Sequence, residues 1–339
     1  MGTGLKRNWR RLAPGILISA ASLVIILYFI DLDRLIEALR LADYRIVALL
    51  FGVSIVWLIV RAMVWRTLLR EQASFSQVFF TLNEGYLLNN LLPFRLGEVG
   101  RAFLLAKKAN LKFLQVFSTI LIERALDVAM AAGLLLTTLP FVVQTGLGWQ
   151  VALITGGLVL FGLGLFYLLA RNQNWALIQF QALGQRISIL QRVLKEQHLL
   201  SFFSGLDALT DSRRFLIVIL LMFLNWGVAL LQFFLLVRAF FPEAQVLWGA
   251  FTLSVMALGI AVPSSPGGIG VMEVSIMGAL AAFNLDPSAS LAAALTAHLC
   301  NYLVTGVFGA FALARDGLSL TGLYRDVSQI SSAGQDGMN

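Results

Sequence analysis

The chain has 339 residues, 59% of them hydrophobic and 13% charged, with a mean hydropathy of +0.83. Globular domains run at about half apolar and about a quarter charged, so this composition excludes a water-soluble domain of useful size and points to an all-α, polytopic integral membrane protein. The net charge of +7 and pI of about 9.9 do not point to nucleic acid. The basic residues fall in short loops, where they set topology and meet anionic lipid, and no basic patch interleaves with aromatics.

In chain order, Lys6, Arg7, Arg10 and Arg11 precede an apolar run over about 14–30. No small-residue cleavage site follows, so this reads as a first membrane helix rather than a cleaved signal. Residues 31–45 hold four acids (Asp31, Asp33, Glu37 and Asp43) and three bases (Arg34, Arg40 and Arg45), so the first helix runs from a basic cytoplasmic end to a neutral-to-acidic outside. A second span at about 46–69 returns to Arg66 and Arg70. On it Trp57, Arg61 and Trp65 share one helix face, and Arg61 fits an interfacial anchor as well as a site residue.

Residues 75–92 then enter from the cytoplasm and meet a break at 93–100, followed by Lys107, Lys108 and Lys112. Both ends of this hairpin look cytoplasmic, which predicts a re-entrant hairpin. Spans follow at about 113–141 and 149–170. Residues 171–213 carry Arg186, Arg192, Lys195, Arg213 and Arg214 around helically spaced leucines, the pattern of an amphipathic cytoplasmic connector. A span at about 215–239 leads to a second broken hairpin, 245–262 and 268–283, and a last span at about 288–314. Residues 326–339 read as a disordered tail after a single transmembrane domain, 1–325. Its halves are about 14–170 and 214–314.

Each half thus offers a span, a broken hairpin and a span, in opposite orientation, about six spans and two hairpins in all. That is the layout of an inverted repeat. Glu98 precedes Glu123 by the same 25 residues that separate Glu273 from His298. Charges in hydrocarbon are costly unless paired or wetted. The expected substrate-binding residues are therefore Arg95, Glu98, Arg101, Glu123, Arg124, Asp127 and Glu273, with Arg61, His298 and Tyr302 as secondary candidates. The backbone breaks are assigned to Pro93, Gly97, Pro266, Gly267, Gly268 and Gly270. Glu98 and Arg101 are spaced to pair, and the two breaks are expected to meet at one cavity with Glu98 and Glu273 facing it. Cys300 is the only cysteine, and His198 and His298 lie far apart, so neither a disulfide nor a metal site is expected. No cofactor or nucleotide motif is legible.

Three of these runs carry a resemblance. Residues 91–101 (LLPFRLGEVGR), 123–127 (ERALD) and 266–273 (PGGIGVME) are similar to the signatures of the lysylphosphatidylglycerol synthase transmembrane family, the flippase-like region of bifunctional aminoacyl-phosphatidylglycerol synthases. The resemblance covers about 14–314. It implies a polytopic flippase-like fold. It does not imply lysyl transfer, because the soluble aminoacyl-transferase domain of the bifunctional members is not in this sequence.

The functional expectation is a non-enzymatic translocator of a lipid or lipid-linked substrate. The competing class is a membrane-embedded enzyme or accessory subunit acting on a phospholipid or polyprenyl-linked glycan. Expected partners are an anionic phospholipid or a polyprenyl-phosphate-linked substrate, with a homo-oligomer or a membrane enzyme as protein partners. The expected location is the plasma (inner) membrane, with both termini cytoplasmic. Energy would come from an ion gradient, a partner or the lipid's own gradient.

Overall fold

The computed structural model describes residues 20–92, 96–142, 211–261 and 265–317, with a few isolated positions between 150 and 175. Most of the expected connector (171–213), most of the span at 149–170 and the tail (326–339) lie outside the described residues, as do Pro93 and Arg95. Those described form helices joined by turns. They are α1 (Ala20–Phe29), α2 (Leu32–Leu41), α3 (Tyr44–Leu68), α4 (Phe75–Leu91), α5 (Leu96–Ala109), α6 (Phe113–Val142), α7 (Ser212–Phe240), α8 (Val246–Gly259), α9 (Val271–Ala281) and α10 (Pro287–Arg315). A 3-10 turn, Pro266–Gly268, precedes α9.

Local chemistry sets the helix starts. Asp31, Asp43, Asp211 and Asp286 each accept backbone N–H bonds at the first turn of α2, α3, α7 and α10. Ser74 and Gln77 form a reciprocal capping box on α4. These caps satisfy donors that a helix leaves open at its N-terminus.

Length sorts the helices into two kinds. α3, α6, α7 and α10 have 25, 30, 29 and 29 residues and are apolar enough to span. At ~1.5 Å per residue they exceed a ~30 Å hydrocarbon core. α4, α5, α8 and α9 have 17, 14, 14 and 11 residues, each short of the ~20 a span requires. The short helices form two adjacent pairs, α4 with α5 and α8 with α9. Two hairpins bounded by four long helices match the sequence expectation. α1 is described only from Ala20.

Packing between the halves is reciprocal. α3 lies against α7. The first hairpin packs through α4 on α10, and the second packs through α8 on α6. Within each half, α5 packs on α6 and α9 on α10. This exchange of equivalent partners is what an internal two-fold relation requires. The outer surface is greasy: Leu295, Leu299, Leu303, Val307 and Phe311 form an exposed stripe at every fourth residue of α10. Such a stripe would be an aggregation hazard in water, whereas lipid is its natural solvent.

The first break differs from the sequence reading. Helix α5 begins at Leu96, so Gly97 and Gly100 are helical rather than part of an unwound stretch. Gly97 serves close approach instead. A Cβ there would lie 2.0 Å from the Gly85 carbonyl oxygen and 2.6 Å from Asn89 Oδ1. Its N–H donates to Asn89 Oδ1 at 2.8 Å, tying the two arms together. The second break does hold non-helical glycines: Gly267, Gly268 and Gly270 have φ of 67°, 76° and 86°, a region that L side chains rarely enter.

Candidate functional site

The charge-bearing residues of the first half converge behind and beside one cavity. Arg61, on α3, is 2% exposed and is the centre of the cluster. Its Nη1 donates to Asp127 Oδ1 at 2.8 Å and its Nη2 to Asp127 Oδ2 at 2.5 Å, a two-pronged pair. The same Nη2 reaches Glu123 Oε1 at 2.6 Å. Glu123 and Asp127 sit one turn apart on α6, which is why one guanidinium can hold both.

Glu123 is fully buried and is the hub for three arginines. Besides Arg61, its Oε1 accepts from Arg101 Nη2 at 3.0 Å and Arg124 Nη2 at 2.8 Å. Arg124 Nη2 also lies 3.2 Å from Asp127 Oδ2, and its Nε 3.6 Å from Glu98 Oε1. Among the described residues, three arginines therefore face three carboxylates. Such balance is the condition under which buried ions are tolerated. The arginines also stack. Arg101 lies 4.7 Å from the Trp65 ring centroid and Arg61 6.0 Å from that of Trp57. The Trp57–Arg61–Trp65 face is thus an inward face, and Arg61 is not the interfacial anchor that the sequence equally allowed.

A second expectation is corrected here. Glu98 and Arg101 do not pair. Arg101 turns to Glu123 and Glu98 to Arg124, because α5 packs on α6 and the interhelical carboxylate is better buried than the one on its own helix.

Two residues that the sequence reading passed over complete the cluster from the other half. Asn225, 1% exposed, accepts from Arg61 Nη1 at 3.3 Å, and Trp226 Nε1 donates to Asp127 Oδ1 at 3.3 Å. An amide at the middle of the 29-residue apolar helix α7 was the available signal. Another missed group ties α4 to α5: fully buried Glu84 accepts from Lys108 Nζ at 2.6 Å, and Lys108 also bonds Thr81 and Asp316.

The cavity has a volume of about 330 Å³, at the lower end of the usual range for ligand sites. Arg61, Glu98, Arg124 and Asp127 form one charged side. The amides Asn89, Asn90, Asn225, Gln232 and Asn301 and the rings of Trp57, Tyr86 and Trp226 add polar and aromatic wall, and aliphatic side chains such as Leu50, Met256 and Met272 supply the rest. Both breaks reach it, the first through its flanks Leu92 and Glu98, the second through Ser265, Gly267 and Gly268. Glu123 and Arg101 sit behind the lining and hold it.

Glu273 is not among the lining residues, against the expectation that it would face the cavity beside Glu98. Its Oε2 accepts from the Gly270 N–H at 2.7 Å, and its Oε1 lies 2.5 Å from His298 Nδ1. His298 packs edge-on against Tyr302, ring centroids 4.5 Å apart. The structure thus brings Arg61, Glu98, Arg101, Glu123, Arg124 and Asp127 into one cluster and Glu273, His298 and Tyr302 into another. No group of His, Cys, Asp and Glu among the described residues could hold a metal ion. Cys300 is buried beside Ser54 Oγ at 3.5 Å.

These features define a multi-pass α-helical membrane protein with an intramembrane ion cluster at a cavity shared by two halves. The family is identifiable as well: residues 13–309 match the lysylphosphatidylglycerol synthase TM region, and the chain belongs to that family. Two UPF0104 membrane proteins of Methanocaldococcus jannaschii are similar to it. One is 23% identical, covering 88% of this chain and 93% of that protein; the other is 26% identical, covering 66% and 91%. The glycosyltransferase AglD of Haloferax volcanii is 24% identical over 97% of this chain, which spans 60% of that protein's length. No solved structure matches it.

Proposed function

We propose that this protein moves an amphiphile between the leaflets of the membrane, taking the headgroup through the shared cavity while the tail stays in lipid. The observation that carries this reading is the cavity wall itself: permanent charges, amides and aromatic rings in a chamber bounded by spanning helices. A polar headgroup costs several kcal/mol in bare hydrocarbon, and such a chamber replaces water along its route. The pairing of Arg61 with Asp127 narrows the cargo. A bare anion would have to displace Asp127 from Arg61. A headgroup with a phosphate and its own hydroxyl or ammonium donors offers the arginines an acceptor and the carboxylates a donor at once. Phospholipids and polyprenyl-phosphate-linked sugars both meet that description. The basic loops favour cytoplasmic termini, in the plasma membrane.

A second reading is favoured by the likeness to a protein named a glycosyltransferase. In it, the chain serves as a membrane subunit for chemistry on a lipid-linked glycan.

Proteoliposomes carrying tail-labelled fluorescent phosphatidylglycerol, phosphatidylethanolamine or a polyprenyl-phosphate sugar, quenched from outside by dithionite, test the first reading. The quenchable fraction of at least one lipid should rise above that of protein-free vesicles, and Asp127→Asn should reduce the rise. Equal quenching with and without protein for every lipid refutes translocation. A new glycolipid seen by mass spectrometry supports the second reading.

A further inference from the structure

The two halves hold their buried charge by different means. In the first, the cations beside the cavity are arginines, which keep their protons under any physiological condition, and Lys108 holds Glu84. In the second, the buried carboxylate Glu273, 4% exposed, has as its ionic partner His298, 6% exposed. Histidine is the one side chain whose ordinary titration falls near neutrality. Among the described residues, the salt bridge of Glu273 is to His298. α8 brings no titratable side chain to this hairpin, and α9 brings only Glu273. α10 brings His298 and Tyr302, with Cys300 occupied at Ser54. α4, which packs on the Pro266–Gly268 turn, brings Tyr86, and Glu84 bonded to Lys108.

Building on the translocator reading, we infer that the buried Glu273–His298 pair is the binding site of a coupling proton, linked to the cavity through Tyr302. His298 Nδ1–H stays donated to Glu273 Oε1 in both states. The exchanging proton is the one on Nε2, so the pair passes between a carboxylate with an imidazolium, net zero, and a carboxylate with a neutral imidazole, net minus one. Nε2 is buried and meets no hydrogen-bond partner among the described residues, and the same holds for the Tyr302 hydroxyl. That hydroxyl lies directly over Gly267, where an added Cβ would fall 1.6 Å from it. Gly267 and Gly268 line the cavity. Tyr302 thus touches both the His298 ring and Gly267, a residue of the cavity wall. Losing it leaves an uncompensated charge in a low-dielectric hairpin, a change that favours a different position of that hairpin. Each turnover would take one proton from one face and release it to the other.

Two measurements separate this site from the translocator reading. The first needs no substrate. His198 and His298 are the only histidines, so a His198→Gln protein labelled with 15N-histidine in nanodiscs reports His298 alone. Its 15N signals should respond to pH, and Glu273→Gln should displace that response, as loss of an adjacent opposite charge does. A His298 signal that does not titrate, or an unchanged midpoint in Glu273→Gln, overturns the proposal even if lipid is translocated. The second imposes a one-unit pH difference across proteoliposomes moving whichever fluorescent lipid is active. The wild type should run severalfold faster in one polarity, and His298→Gln and Glu273→Gln should bring that ratio to about one. A wild-type ratio of one refutes proton coupling and leaves translocation standing. If no lipid moves, the translocator reading fails and the histidine titration still decides whether the proton site exists.

Discussion

Replacing Arg61 by alanine should be among the most damaging single changes in the membrane domain. Arg61 supplies both bonds of the two-pronged pair to Asp127 and a third contact to Glu123. Without it, two arginines face three carboxylates among the described residues. Asp127 keeps Arg124 at 3.2 Å and Trp226 at 3.3 Å, but a buried carboxylate is under-compensated. Breaking such a pair from one side costs about 3–5 kcal/mol. At roughly 2 °C per kcal/mol for a large domain, the thermal midpoint should fall by about 6–10 °C. Fluorescence-detected size exclusion after heating measures this in detergent. The decisive comparison is the Arg61→Ala/Asp127→Asn double mutant, which restores two charges against two. It should recover at least half of the loss, a coupling that independent sites do not show. Additive losses, or an Arg61→Ala midpoint within 2 °C of wild type, would refute the charge-balance account; that margin is about 1 kcal/mol on the same scale.

The first hairpin supplies a steric test. Gly97→Ala should destabilise by about 1–3 kcal/mol or more, because the new methyl meets backbone of α4, whereas Gly52→Ala, with no atom within 4 Å of its Cβ, should be neutral or slightly stabilising in the same heating assay. Asn225→Leu, which removes the acceptor at 3.3 Å from Arg61, should cost about 1.5–3 kcal/mol, less than Arg61→Ala; an equal or larger loss would assign Asn225 a packing role.

The long helices and the hairpins were legible because composition and length suffice for them. α3, α6, α7 and α10 each start or end within about three residues of the apolar limits, and the Pro/Gly runs mark where helix cannot continue through hydrocarbon. Residue type also located the charged cluster: Glu123, Arg124 and Asp127 on one apolar helix have few explanations other than a buried network. Pairing within it was not legible. Whether Arg101 meets Glu98 on its own helix or Glu123 on the next depends on how close α5 and α6 approach, a tertiary fact that spacing along one helix does not contain. Asn225 and Trp226 escaped because neither is charged, yet a buried amide needs partners as much as an ion does. The likeness of the two breaks groups Glu273 with the arginines. Its capping bond to Gly270 and its short contact to His298 aim it elsewhere.

The central claim is that a lipid headgroup enters a chamber built by both halves. A phosphatidylglycerol with a photoactivatable group next to its headgroup, crosslinked in proteoliposomes and mapped by mass spectrometry, addresses this directly. The account predicts labels on Trp57 and Tyr86 of the first half and on Trp226 of the second, lost when excess unlabelled lipid competes. Labels confined to the exposed α10 stripe of Leu295, Leu299 and Leu303, with none on the cavity wall, would contradict it.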